Sequence, residues 1–68
     1  MNSNNLTFSS KIDANVEDTC FDILLSYFED KDYKKVYVTN VVLAPNEILF
    51  FAEIEEIKSI VRVPIIND

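Results

Sequence analysis

The sequence predicts an α+β fold in which one helix packs on a mainly antiparallel sheet, with the element order β-α-β-β-β and a C-terminal three-stranded meander. Three observations carry this. Apolar residues recur at spacings of three and four between Val16 and Phe28, the period of a helix. From Val36 to Ile66 they alternate instead, and one face stays apolar through two reversals. A shorter alternation precedes the helix, with Leu6, Phe8 and Ile12 against Thr7, Ser9 and Lys11.

That first alternation reads as a strand, although Ser10 interrupts its inward row, and residues 1–5 are polar enough to read as a frayed terminus. A crossover through the helix makes this strand parallel to the next one. It has two possible places, beside the second strand or at the far edge beside the fourth.

The helix, Val16 to Phe28, carries Val16, Cys20, Ile23, Leu24, Tyr27 and Phe28 on its apolar stripe. Asp13 or Asn15 can cap it, and Glu17 and Asp18 place negative charge at the positive end of the helix dipole. No Gly marks its end, so the charged run Glu29-Asp30-Lys31-Asp32 is expected to lead the chain away. Phe21 and Leu25 widen the apolar arc. They suit a helix tucked deeply beside the sheet, or one that also touches a second subunit.

In the meander, Ala44-Pro45-Asn46-Glu47 is a turn with a mechanism, because Pro pre-sets φ at the first central position and Asn suits the second. That reversal sets Leu43 opposite Ile48, Val41 opposite Phe50, Thr39 opposite Ala52 and Tyr37 opposite Ile54. A second reversal at Glu55-Glu56 sets Ile54 opposite Ile57, Ala52 opposite Ser59, Phe50 opposite Val61 and Ile48 opposite Val63. The helix is expected to cover this face, including Tyr37, Val41, Phe50, Ile54, Val61 and Val63. Glu does not favour the positive φ of a tight hairpin, so a wider loop or a short helical turn is expected at residues 53–58.

The same register defines a second face that is not polar either. It holds Val38, Val42, Leu49, Phe51 and Ile60 at its centre, bordered by Glu53, Lys58 and Arg62, with Glu53 directly across from Lys58. An apolar centre inside a charged rim is the anatomy of a protein interface. Val38, Val42, Leu49, Phe51, Ile60 and Arg62 are therefore the candidate partner or dimer interface.

Composition narrows the chemistry. The 68 residues form one domain, 1–68, with no Gly, no His and one Cys. Zinc sites and His-containing triads need residues the chain lacks, and Gly-rich phosphate loops fall with the absence of Gly. Glu55 and Glu56 point apart as neighbours on a turn, and Asp30 and Asp32 lack the Gly and terminal Glu of a calcium loop. No enzyme activity, cofactor or metal is expected. Cys20, on the helix stripe, reads as a small buried hydrophobe. One unpaired Cys, no apolar run of membrane length and a polar start give a cytoplasmic, membrane-free expectation, which for a viral protein means the host cytoplasm.

Six basic against twelve acidic residues, a net charge of -6, argue against nucleic acid as a direct partner. Lys31, Lys34 and Lys35 sit among Glu29, Asp30 and Asp32, so their local charge is nearly balanced. Asp18, Asp22, Glu29, Asp30, Glu53, Glu55 and Glu56 form an acidic surface. Such a surface usually serves solubility, and it can also imitate a row of phosphates to block a DNA- or RNA-binding protein.

In composition alone, with no motif, the chain is similar to small phage and mobile-element proteins that bind and block a host protein. The expected function is a small acidic protein-binding regulator or inhibitor, with a homodimer as accompaniment. The alternatives are the nucleic-acid mimic and a structural subunit of a larger assembly. A chain this short buries only roughly 60 % of its extended surface, which makes a covering partner useful.

Overall fold

A computed structural model describes residues 2–66. The elements are a 3-10 turn at Ser3–Asn5, β1 Leu6–Phe8, α1 Ala14–Tyr27, β2 Val36–Leu43, β3 Glu47–Ile54 and β4 Ile57–Pro64. The four strands form one mixed sheet in the order β1-β2-β3-β4. β1 runs parallel to β2, pairing Leu6 with Val36 and Phe8 with Val38, which settles its place in the sheet. The other two pairings are antiparallel, as the meander requires.

Two features at the amino end differ from expectation. Residues 3–5 are held in a turn, where Asn2 Oδ1 accepts from Asn4 N at 3.0 Å and Asn5 Nδ2 donates to Tyr33 O at 3.2 Å. The strand then stops at Phe8. After Ser9 N donates to Val38 O, the chain turns, with Ile12 N bonded to Ser9 O, so Ile12 reaches the core from a loop. The break falls where Ser10 interrupts the alternation.

The helix starts earlier than its stripe. Asp13 is the cap, its Oδ1 accepting from Asn15 N at 2.8 Å, so Asn15 is already in the first turn. At the other end Phe28 N still bonds Leu24 O, and Lys31 N folds back on Phe28 O. The Phe28 ring is buried edge-on between Tyr27 and Tyr33, with centroids 5.1 and 5.5 Å away, and this anchors the exit that no Gly marks. Cys20, Leu24 and Phe28 are the buried line of the stripe. Phe21 and Leu25 also pack on the core, while Tyr27 is 44 % exposed, so the wide arc turns toward β1, where Phe21 meets Phe8 at 6.4 Å.

Between helix and sheet lie Leu6, Cys20, Leu24, Phe28, Val36, Val38, Phe50, Ala52 and Val61, each at most 6 % exposed. Burial of a Val, Leu or Phe side chain contributes roughly 1.5–3 kcal/mol, and among the described residues no buried polar side chain offsets it. β4 lies farther from the helix than β1 does. Its Ile57, on the core face, remains 69 % exposed.

The β2–β3 register corrects the expected one over half its length. Leu43 opposes Ile48 and Val41 opposes Phe50 as expected, yet Ala52 pairs with Val38 and Ile54 with Val36, not with Thr39 and Tyr37. Thr39 is an extra residue, a β-bulge between Val38 and Asn40. The inward set therefore switches from Val36 and Val38 to Val41 and Leu43. Tyr37 goes to the opposite face, across from Glu53.

The second reversal is also tighter than expected. Ile54 pairs with Ile57, leaving Glu55 and Glu56 as a two-residue loop at φ 50° and 71°. Left-handed backbone costs an ordinary residue roughly 1–2 kcal/mol. Here the preceding segment holds it in place. Glu55 N donates to Lys35 O at 2.9 Å, and Lys34 N donates to Glu55 Oε1 at 2.8 Å.

Candidate docking face

The helix covers one side of the sheet and leaves the other bare. Across the bare side, Tyr37 lies opposite Glu53, Asn40 opposite Phe51 and Val42 opposite Leu49. β4 continues each row, with Lys58 opposite Glu53, Ile60 opposite Phe51 and Arg62 opposite Leu49. Leu49 and Phe51 are half-buried by their neighbours, while Val42 is 39 % and Ile60 62 % exposed. A shallow groove runs between Thr39, Phe51, Glu53, Lys58 and Ile60.

Of the six residues expected at an interface, Val42, Leu49, Phe51, Ile60 and Arg62 share this face. Val38 does not. It is fully buried under the helix, because the bulge at Thr39 reverses the parity of the strand before it. Tyr37 takes its place on the open face, a residue the alternation had assigned to the core. The signal that locates it is the doublet Thr39-Asn40, two successive polar residues where strict alternation allows one.

The rim is pinned diagonally. Arg62 Nε donates to Glu47 Oε1 at 2.8 Å and Nη2 to Glu47 Oε2 at 2.9 Å, a two-pronged ion pair next to Leu49. The hydrogen bond and charge of Glu47 raise the already high pKa of the Arg62 guanidinium. Glu53 and Lys58 face each other directly, yet the ion pair among the described residues is this diagonal one.

The acidic residues do not form a single row. Asp18 and Asp22 fall on the side of the helix away from the buried Cys20-Leu24 line, and Glu29 and Asp30 follow the helix in the turn beyond its Phe28 cap, exposed. Glu53 belongs to the bare sheet face, on the other side of the sheet from the helix. Glu55 and Glu56 are exposed at the β3–β4 turn, the former occupied by Lys34 N. Burial raises the Cys20 pKa, so the thiol stays protonated at neutral pH. Among the described residues no three of His, Cys, Asp and Glu come together as metal ligands, and no helix is long and apolar enough to cross a membrane.

Fold and face together describe an α+β protein with a half-covered sheet. Comparison with known proteins finds no matching family model, no matching curated protein and no matching solved structure.

Proposed function

We propose that the chain is a small acidic protein-binding regulator or inhibitor that works by docking, without catalysis, through the bare sheet face. The observation behind this is the apolar row Val42, Leu49, Phe51 and Ile60, left uncovered by the helix and bordered by the Glu47–Arg62 ion pair. Apolar centres with polar rims carry most of the energy of protein interfaces, and aromatic residues at their middle dominate it. Phe51 sits in the middle strand of three, flanked by Asn40 and Ile60.

The test is Phe51→Asp. This side chain is on the bare face, so the variant should melt cooperatively while capture of the partner from the native cell extract falls by roughly tenfold or more. Equal recovery of the same partner by parent and variant would overturn the reading. The face carries two acids and two bases, Glu47, Glu53, Lys58 and Arg62, and so is also compatible with a second copy. Sedimentation of the isolated chain only as a monomer at micromolar concentration would remove the homodimer.

A further inference from the structure

The sheet has two long edges, and they are finished differently. Beyond Val38, β2 has no strand partner on the β1 side among the described residues, and the open stretch is interrupted at once by the Thr39 bulge. The next outward amide, Val41 N, is taken by Asn40 Oδ1 at 2.9 Å. Both are devices that stop another strand from adding to an edge.

β4 has neither. Its eight residues pair with β3 on one side, without a register shift, and with no strand on the other among the described residues. Ile54 and Ile57 close a two-residue hairpin, so odd-numbered residues of β4 bond toward β3, and Ile65 N continues that series by donating to Asn46 O. The amides of Lys58, Ile60 and Arg62 consequently point away from the sheet. Pro64 closes only the end of this row.

Exposed apolar area concentrates here as well. Of the seven large hydrophobic residues exposed among the described residues, Ile57, Ile60, Ile65 and Ile66 belong to β4 or its continuation. Charge selects the occupant. In a chain of net charge -6, β4 carries two bases and no acid, Arg62 sharing its charge with Glu47 and Lys58 lying opposite Glu53 without an ion pair among the described residues. A second copy pairing antiparallel about Ile60 sets Lys58 against the other copy's Arg62, like charges in directly opposed positions, which destabilises the pairing.

We infer that β4 accepts an added strand from another protein, an extended segment with acidic residues four positions apart, opposite Lys58 and Arg62, and apolar or β-branched residues between them. Backbone hydrogen bonds to Lys58, Ile60 and Arg62 provide affinity, and the alternate side chains provide selectivity. This rests on the protein-binding reading above but assigns a different surface, the edge rather than the face.

The experiment titrates isotope-labelled protein with a synthetic peptide containing two Glu separated by Val, Ile or Thr residues, and with a counterpart in which the Glu opposite Lys58 is Lys. The largest amide shifts are expected at Lys58, Ile60 and Arg62, with the acidic peptide binding about fivefold tighter than its counterpart. Lys58→Glu should invert that preference. Ile60→Pro, which removes an outward N–H without breaking a bond to β3, should abolish binding. Charge-independent binding, or shifts centred away from β4, overturns the inference. So does a dimer of the free chain that Ile60→Pro converts to monomer, because the occupant is then a second copy. Phe51 lies one strand further in, directly opposite Ile60, and Phe51→Ala, which adds no charge beside Lys58, should leave peptide affinity within about twofold. Loss of partner capture in Phe51→Asp with no peptide binding removes the edge alone. Peptide binding with undiminished capture removes the face alone.

Discussion

The two hairpins of the meander fail and succeed in opposite ways. In β2–β3 the turn residues are those the geometry wants, Pro45 and Asn46, and the strand register departs from simple alternation at Thr39. In β3–β4 the register is regular from Ile54–Ile57 to Glu47–Pro64, and the turn is built from residues that resist it, Glu55 and Glu56 at positive φ. Turn chemistry and strand register are thus separate specifications. A two-sided sheet sets register through which side chains must be buried. A turn then adopts the backbone that register demands, even at a cost, when neighbouring groups such as Lys34 and Lys35 hold it.

The largest expected effect tests the first hairpin. Val38→Asp places a charge in a fully buried position and should abolish cooperative unfolding, since its cost reaches the roughly 5 kcal/mol that holds a small domain together. Tyr37→Asp, one residue earlier on the open face, should leave the protein folded, with its melting transition retained. If circular dichroism shows the reverse ranking, the bulge is misplaced.

A smaller effect tests the second hairpin. Glu56→Gly relieves left-handed backbone at a position where the side chain makes no hydrogen bond among the described residues, and should stabilise by about 1 kcal/mol in urea unfolding. Loss of stability in that variant would mean that Glu56 contributes more than its backbone costs. The smallest effect joins both questions. Deleting Thr39 removes the extra residue while leaving Val38 opposite Ala52 and Val41 opposite Phe50. Stability should change by no more than about 1 kcal/mol, and cross-strand proton contacts should keep both pairs. Exchange of those partners would show that the bulge itself sets the register.

Most of the architecture was legible because burial enforces periodicity. The helix stripe and the whole β3–β4 register follow from residues that must face a core, while Asp13, one of two candidate caps, and the Pro45-Asn46 reversal follow from local backbone chemistry. What escaped has local causes. Val36 and Val38 point inward at even positions while Val41 and Leu43 do so at odd ones, and only the Thr39-Asn40 doublet announces the switch. Tyr37, amphipathic, suits either side. Glu-Glu carries no turn signal at all, because its conformation is imposed by Lys34 and Lys35, residues distant in sequence. Five of the six residues expected at an interface share the bare face because four of them, Leu49, Phe51, Ile60 and Arg62, belong to the β3–β4 hairpin and Val42 follows the bulge. Val38, the one before it, was not.

Cys20 sits at the seam between helix and sheet, 1 % exposed, and no other thiol exists in the chain. A thiol reagent therefore meets little of the sulfur until the helix shifts against the pocket that Cys20 lines with Val16, Thr19, Leu43 and Ile48. The first such event that a reagent intercepts leaves a permanent chemical mark at a single atom. The molecule thus carries an internal clock for its own breathing, one whose rate a strand added at β4 or a protein seated on the bare face would slow without touching the sulfur.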